Sequence, residues 1–333
     1  RTSDSKDELV SNNLAVLIRR AKMILDFNRV GSYTQPGPRL YPHQWSWDSA
    51  FIAIGYAHYD QRRATNELNH LFDSQWKNGL LPQIVFNPNF SEYFPGVGFW
   101  HAERSPDAPR HHKTSGLVQP PIHATAAWHV YRLAKDHAYA QAFLEGAYPR
   151  LAAWHEYLYR ERDPEDEGLV YIRHPWESGM DNSPMWDEIL LRIHLKSDEI
   201  PGYRRVDTHL VDTEARPVNA AYDRFAWLIQ LFAERDYDEA RIRADCPFLV
   251  QDVLFNTLLR QADRDLAELA RAMGEDPSPF QARADRTARA INEKLWDEER
   301  GIYLDFDLVT SEPIRVHAAA GFSPLYASIP DED

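Results

Sequence analysis

Apolar residues recur on a helical period along most of these 333 residues, and no set of alternating strands joined by hairpin turns interrupts them. Leu14, Leu17, Ile18, Ala21, Ile24 and Leu25 share one face, behind a Ser5-x-x-Glu8 capping box. Val218, Ala221, Tyr222, Phe225, Leu228, Ile229 and Phe232 repeat the pattern, as do Leu266, Leu269, Ala270 and Met273. The period predicts helices near 7–27, 48–58, 62–76, 122–136, 139–161, 184–194, 217–235, 248–273 and 277–296. The expected fold class is therefore all-α.

The joints differ in character. Those at 28–47, 79–121 and 162–183 are long, aromatic and proline-rich. Asn78-Gly79, Glu167-Gly168 and Arg300-Gly301 each place a glycine where a helix should stop, followed by apolar residues that lead the chain inward. Repeated helix pairs with long loops on one side suggest a toroid of helical hairpins, although Gly-Leu is also an ordinary stop signal. No low-complexity linker divides the chain, so residues 1–333 are expected to form one domain.

A net charge of −14 makes nucleic acid and anionic membrane poor partners. It leaves a small anionic ligand open, because one local arginine can outweigh the global field. Cys246 is the single cysteine, so no intrachain disulfide forms; a reducing, cytoplasmic location fits. No apolar run approaches the length of a membrane span. The 10 Trp, 16 Tyr and 15 Phe suit either a large aromatic core or an aromatic-walled cleft, and composition does not separate the two. Oligomeric state stays open.

Two polar-aromatic segments stand out. In Pro175-Trp176-Glu177-Ser178-Gly179-Met180-Asp181-Asn182-Ser183-Pro184, Ser183 and Pro184 read as an N-cap and first helical residue, which places Asp181 in the loop before a helix. Rings, hydroxyls and carboxyls together suit sugar cleavage: rings stack on C–H faces and a carboxyl protonates the leaving oxygen. A helix N-terminus favours the ionised carboxylate. Glu177 nearby and burial against Trp176 are expected to push the other way. In Tyr41-Pro42-His43-Gln44-Trp45-Ser46-Trp47-Asp48, Asp48 is either a helix cap or an acceptor for a sugar hydroxyl between two indoles. Gln75–Gln83 and Gln119-Pro120-Pro121-Ile122-His123 are weaker polar-aromatic loops.

Metal chemistry finds no footing. There is no His-Glu-x-x-His and no Cys/His pair at zinc spacing, and Asp163–Gly168 reads as a solvated turn rather than a calcium loop. Neither a phosphate-cradling glycine loop nor a Gly-x-Ser-x-Gly elbow occurs.

Tyr41–Asp48, Lys77-Asn78-Gly79-Leu80-Leu81-Pro82-Gln83 and Trp176–Pro184, in that order, resemble glycoside hydrolase family sixty-three. Within it they are most similar to the bacterial mannosylglycerate and glucosylglycerate hydrolases, from about Leu14 to Phe322. The resemblance implies an (α/α)6 barrel, no metal or other cofactor, and hydrolysis of an α-glycoside with inversion. The substrate it implies is glucosylglycerate or mannosylglycerate, giving hexose and glycerate. Position by position, it makes Asp181 the general acid and places Tyr41, Gln44, Trp45, Trp47, Asp48, Trp176 and Gly179 around the sugar ring. Gln119 joins them as a binding candidate, Tyr93 sits on a loop that closes over substrate, and Arg216 and Tyr222 hold the glycerate end. The family's general base is a glutamate beyond a Trp-Arg-Gly-Pro-type segment that is not found here. The helices also fall short of a closed barrel's twelve. The base is therefore expected beyond Asp333, in a barrel that is C-terminally incomplete in this chain. Competing readings are a non-catalytic sugar-binding protein on a glycosidase barrel and an α-glucosidase or trehalase-like enzyme with another aglycone. An all-α terpene cyclase would need an aspartate-rich run that is missing.

Overall fold

The computed structural model describes residues 3–330 apart from 213 and 215, with no account of the side chains of residues 3–12. The side-chain bonds expected of the Ser5–Glu8 box therefore lie outside what is described. The helices are α1 (Ser3–Phe27), α2 (Ser46–Ala57), α3 (Gln61–Phe72), α4 (Val97–Trp100), α5 (His123–Arg132), α6 (His137–Arg162), α7 (Asp187–Leu191), α8 (Asn219–Glu234), α9 (Glu239–Asp245), α10 (Val253–Met273) and α11 (Ser278–Ala290). Aspartates start several of them. Asp60, Asp136, Asp238 and Asp252 each accept a backbone N–H from the first turn of the helix that follows. None of the described helices is long and apolar enough to cross a membrane.

Sequential hairpins make the core. α2 packs on α3 and α5, α5 on α6, and α10 on α5, α6 and α11. Several polar groups inside this packing are partnered. The Tyr159 hydroxyl donates to Asp263 at 2.6 Å, and His155 Nδ1 lies 2.7 Å from the same carboxylate. Thr125 donates to Asp265 at 2.6 Å.

Several boundaries differ from the periodic reading, each for a local reason. The stretch expected to open α10 is extended: Val250–Gln251 pairs antiparallel with Phe306–Asp307, and Asp252 starts the helix. A short apolar run suits a buried strand as well as a helix, and here the strand wins. α11 ends at Ala290, and a single π-turn over Ile291–Leu295 leads into the hairpin 296–297/302–303. α1 forms, but its apolar face is not covered among the described residues. Leu17 is 65% exposed and Ile24 59%, and the helix is held through half-buried Leu25 and the Lys22 ammonium 4.3 Å from the Tyr59 ring centre.

The long loops are bonded to one another. Gln44–Trp45 pairs antiparallel with Ile84–Val85, Ser46 N–H donates to Gln83 O at 2.9 Å, and Gln83 N–H donates to Leu117 O at 2.7 Å. The tryptophans divide between core and cleft. Trp76, Trp100, Trp154 and Trp186 are at most 2% exposed and pack as core, whereas Trp45, Trp47 and Trp176, on the loops that meet here, keep some exposure.

A pair of buried acids marks the start of α10. Asp305 accepts the Val253 N–H at 2.7 Å while Asp252 accepts the Phe255 N–H, and the second oxygen of each finds no hydrogen-bond partner. Burial pushes both carboxyls up, Asp305 from 3.8 to about 7, and repulsion between the two lifts Asp252 further. A raised folded-state value means that the folded protein holds a proton the unfolded chain releases. The associated stability is whole below 3.8 and is lost as pH rises through about 7. Asp305→Asn keeps the acceptor for Val253 and offers Asp252 a donor. Its Tm is expected to exceed the wild type's at pH 8, with the gap closing toward pH 4 in thermal melts. A gap independent of pH would count against the raised Asp305 carboxyl.

Candidate active site

Backbone turns fix Asp181 in place. Pro175–Ser178 forms one 3-10 turn, Gly179 follows at φ +71, and Ser183 caps a second turn over Pro184–Trp186. The Met180 carbonyl accepts from Trp186 Nε1 at 2.9 Å and from Ser183 N at 3.0 Å, so the chain is pinned on both sides of Asp181. The cap and proline expected from Ser183-Pro184 are where the pattern put them.

Asp181 is half-buried and its carboxyl is pushed up to about 6. Burial is the main cause, opposed by the Arg216 guanidinium and assisted by Asp48. Glu177, expected from its spacing to help, does not. It is fully buried and ion-paired with Arg162 at 3.1 Å. Burial alone would raise its carboxyl, but Arg162 and Arg173 hold it below the ordinary range.

Asp48 does not cap α2. That helix starts at Ser46, its N-cap is Trp45 with no side-chain bond, and Asp48 lies in the first turn. Burial pushes the Asp48 carboxyl up to about 6, against a bond to its own backbone N–H. Two half-buried carboxyls thus share one electrostatic field, each poised near neutrality. Trp47 follows the same strand-to-helix junction, and its backbone N–H donates to Gln119 Oε1 at 3.1 Å. Gln119, expected to touch ligand, therefore has its carbonyl committed to holding Trp47. The Trp47 ring lies over Gly179, where an added Cβ would come 2.5 Å from its outer carbons.

Aromatic rings and one guanidinium close the cleft. The Tyr41 ring meets Trp45 edge-on at 5.1 Å, and Tyr93 does so at 5.5 Å. Tyr93 lies in the field of Tyr222, Tyr41, Asp181 and Arg216, and its hydroxyl is pushed well up, mainly by burial. Arg216 donates to Tyr41 Oη at 3.2 Å and to Asp207 at 2.8 Å. Trp176 packs against Tyr222 at 5.8 Å and is oriented by His174, whose Nδ1 accepts the Trp176 N–H at 3.0 Å. A cavity of about 430 Å³ borders this group, lined by His43, Phe86, Asn87, Phe90, Tyr93 and Lys113 among others.

Gln44 is the one expected contact that the structure removes from the cleft. It is wholly buried, and its amide is spent internally. It donates to Ser49 Oγ and to the Glu67 carbonyl at 3.0 Å, and His70 Nδ1 lies 2.6 Å from its Oε1. It alternates with Trp45 along the strand, so its side chain falls on the opposite face. Burial pushes Glu67 beneath it up to about 7.

Sequence reasoning missed Asp207 and Arg205. Asp207 accepts from both Arg205 and Arg216, and the Arg205 guanidinium lies 4.2 Å from the Tyr222 ring centre. Arg205 sits in irregular chain and Asp207 opens a three-residue 3-10 turn, too short to show a repeating pattern, so no local signal marks them. The loop near Asp163 is the turn it was read as, since that carboxylate accepts the N–H groups of Glu167 and Gly168. Among the described residues no three His, Cys, Asp or Glu side chains cluster as metal ligands.

The chain is similar to known proteins over nearly its whole length. The profile of the mannosylglycerate hydrolase MGH1-like glycoside hydrolase domain matches residues 41–333. A mannosylglycerate hydrolase of Rubrobacter radiotolerans is 65% identical over 98% of this chain and 74% of its own. A glucosylglycerate hydrolase of Mycolicibacterium hassiacum is 36% identical over 93% and 71%. The crystal structure of a GH63 mannosylglycerate hydrolase from Thermus thermophilus, in complex with Tris and D-glycerate, superposes with a TM-score of 0.88. It shares 43% identity over 94% of this chain and 73% of that one.

The Trp47–Gly179 contact can be tested directly. Gly179→Ala places a methyl group into the indole and strains a left-handed residue, whereas Gly31→Ala, at φ +61 with nothing within 4 Å, brings the strain alone. Gly31→Ala is expected to cost only about 1–2 kcal/mol of stability. Gly179→Ala should in addition displace Trp47 and change its fluorescence. Matching spectra for the two variants would show that the contact is loose.

Proposed function

The chain belongs to the MGH1-like glycoside hydrolases of family sixty-three, helical-toroid enzymes, and we propose that it hydrolyses mannosylglycerate or glucosylglycerate to hexose and glycerate. One observation carries the choice of an anionic aglycone: Arg216 stands in the field of Asp181, on a protein of net charge −14. A cation beside the proposed acid is counterproductive for proton donation alone, since it favours the ionised carboxylate. It becomes useful if the group leaving from that carboxyl carries a negative charge of its own.

The proposed roles follow from position. Asp181 gives its proton to the glycosidic oxygen, and burial keeps that proton in place to about pH 6. Trp47, Trp45 and Trp176 offer ring faces to the hexose, and Asp48 accepts a hydroxyl. Arg216, held by Asp207 and Tyr41, takes the glycerate carboxylate in bidentate fashion, with Tyr222 and Tyr93 around it. Asp207 is the carboxylate that braces Arg216. Inversion needs a water held by a second carboxylate across the anomeric carbon, about 6.5–9.5 Å from the first. We assign that base to a residue outside the cleft side chains described above. The relatives named for mannose and for glucose leave the hexose to be chosen by experiment.

Arg216→Ala is expected to raise KM for the glycerate glycoside by about 10- to 100-fold, the worth of one charge-assisted pair. Much of that loss should vanish on the matched glyceryl glycoside, which is neutral. Equal losses on both substrates would leave Arg216 as a brace. Losing the guanidinium also lets the Asp181 carboxyl rise, so the alkaline limb of kcat/KM, expected near pH 6 in the wild type, should move to higher pH. Asp181→Asn should remove most turnover while sparing binding. Intact turnover in that variant would exclude the assignment.

A further inference from the structure

Beneath the cleft, two arginines and two glutamates are sealed together. The side chains of Arg162, Arg173 and Glu177 are 0% exposed and that of Glu239 is 5% exposed. Arg162 grips Glu177 with both terminal nitrogens at 3.1 Å and meets Glu239 through Nε at 2.9 Å. Arg173 Nε lies 3.4 Å from Glu239, and its Nη2 donates to Gly116 O at 3.0 Å. The four charges cancel. The carboxylates differ in what else they touch. Glu239 accepts the Tyr171 hydroxyl at 3.0 Å. Glu177 accepts backbone N–H groups from two separate cleft segments, Arg173 at 2.8 Å and Val118 at 3.2 Å.

We propose that Glu177 is a positioning residue for the cleft, with its carboxylate locking the loop that carries Asp181 to the segment that carries Trp47. Glu177 stands four residues before Asp181 on the turn that ends at Gly179. Across the cleft it fixes Val118, whose neighbour Gln119 holds the Trp47 N–H at 3.1 Å. The Trp47 ring returns to Gly179 and closes the loop of contacts. What passes along this loop is geometry rather than charge. Glu177 is neutralised by its arginines, and the groups acting on the Asp181 carboxyl are Arg216 and Asp48. Stability alone does not call for such a cluster, since apolar replacements of buried ion pairs are often as stable. A carboxylate with several acceptor sites can fix two backbone segments in register, which an apolar side chain cannot.

This inference rests on the reading of Asp181 as the acid of a glycosidase, and its test separates the two. Three variants of the full chain are compared: Glu177→Gln, Glu177→Asp and Glu239→Gln. The glutamine keeps one acceptor and turns an N–H toward the other backbone donor. The aspartate keeps the charge but is one methylene short, and serves if the glutamine variant does not fold. Both Glu177 variants are expected to lose kcat by about 100-fold, the effect of a displacement near 1 Å, with KM little changed. Amide exchange at Trp47 should speed up in both. Glu239→Gln disturbs the same charge cluster without touching either backbone segment. It should lower Tm while leaving kcat and Trp47 exchange near wild type. If kcat and Trp47 exchange follow Tm alike in all three variants, Glu177 is only structural and the proposal is overturned. A wild type that hydrolyses neither glycoside defeats the functional reading instead. Trp47 exchange then decides the positioning claim by itself.

Discussion

Four short stretches of chain are stitched edge to edge by hydrogen bonds from backbone N–H groups. Gln44–Trp45 lies on Ile84–Val85, Gln83 on Leu117, and Val118 on the Glu177 carboxylate. The stitches sit at the ends of a helical framework whose hairpins are fixed by apolar burial. A loop gains no rigidity from hydrophobic packing alone, because packing is non-directional. Backbone donors and acceptors are directional, and leaving them unpaired inside a protein is costly. The cleft is therefore as rigid as this ladder, and the aromatic walls and carboxyls inherit their positions from it.

Electrostatics in the cleft is set by short-range pairing on a background of opposite sense. The chain as a whole is strongly acidic, yet arginines stand at the points that matter: Arg162 and Arg173 below Glu177, Arg205 and Arg216 on Asp207. Each pair is held in place by a partner carboxylate, so the cations are ordered before any ligand arrives. Among the described residues Asp181 and Asp48 form no such ion pair, and burial raises both into the range where protons are exchanged near neutrality. The division is physical: paired acids are structural, and unpaired half-buried acids keep the capacity to give up or hold a proton.

Much of this was legible in the sequence, and what was not has identifiable causes. The periodic apolar faces of α8 and α10 appear as buried stripes, and Ser183-Pro184 ends the loop where a cap and a proline should. The polar-aromatic segments do converge, joined by the 44–45/84–85 strand pair, the Gln119 bond to Trp47 and the Trp47–Gly179 contact. Spacing misled where contact was inferred from proximity along the chain. Glu177 is four residues from Asp181 yet points into the arginines, and Gln44 shares a strand with Trp45 yet faces the other way. Asp207 and Arg205 were invisible because irregular chain and a three-residue turn have no period from which to read a facing side. The exposed face of α1 shows the converse limit, since a stripe predicts a helix without predicting what covers it.

The contact between the Trp47 ring and the Gly179 backbone couples two tasks that many active sites keep apart. The Trp47 indole, which we propose meets one face of a bound ring, and the loop that carries Asp181 press on each other with no room for a side chain at Gly179. Drift in one is transmitted to the other, so sequence change at either position is constrained by both. If the roles proposed above hold, adaptation to a different sugar would have its freest choices elsewhere, among proposed contacts such as Asp48 or Tyr41. The evolvable surface of this pocket is thus smaller than its lining.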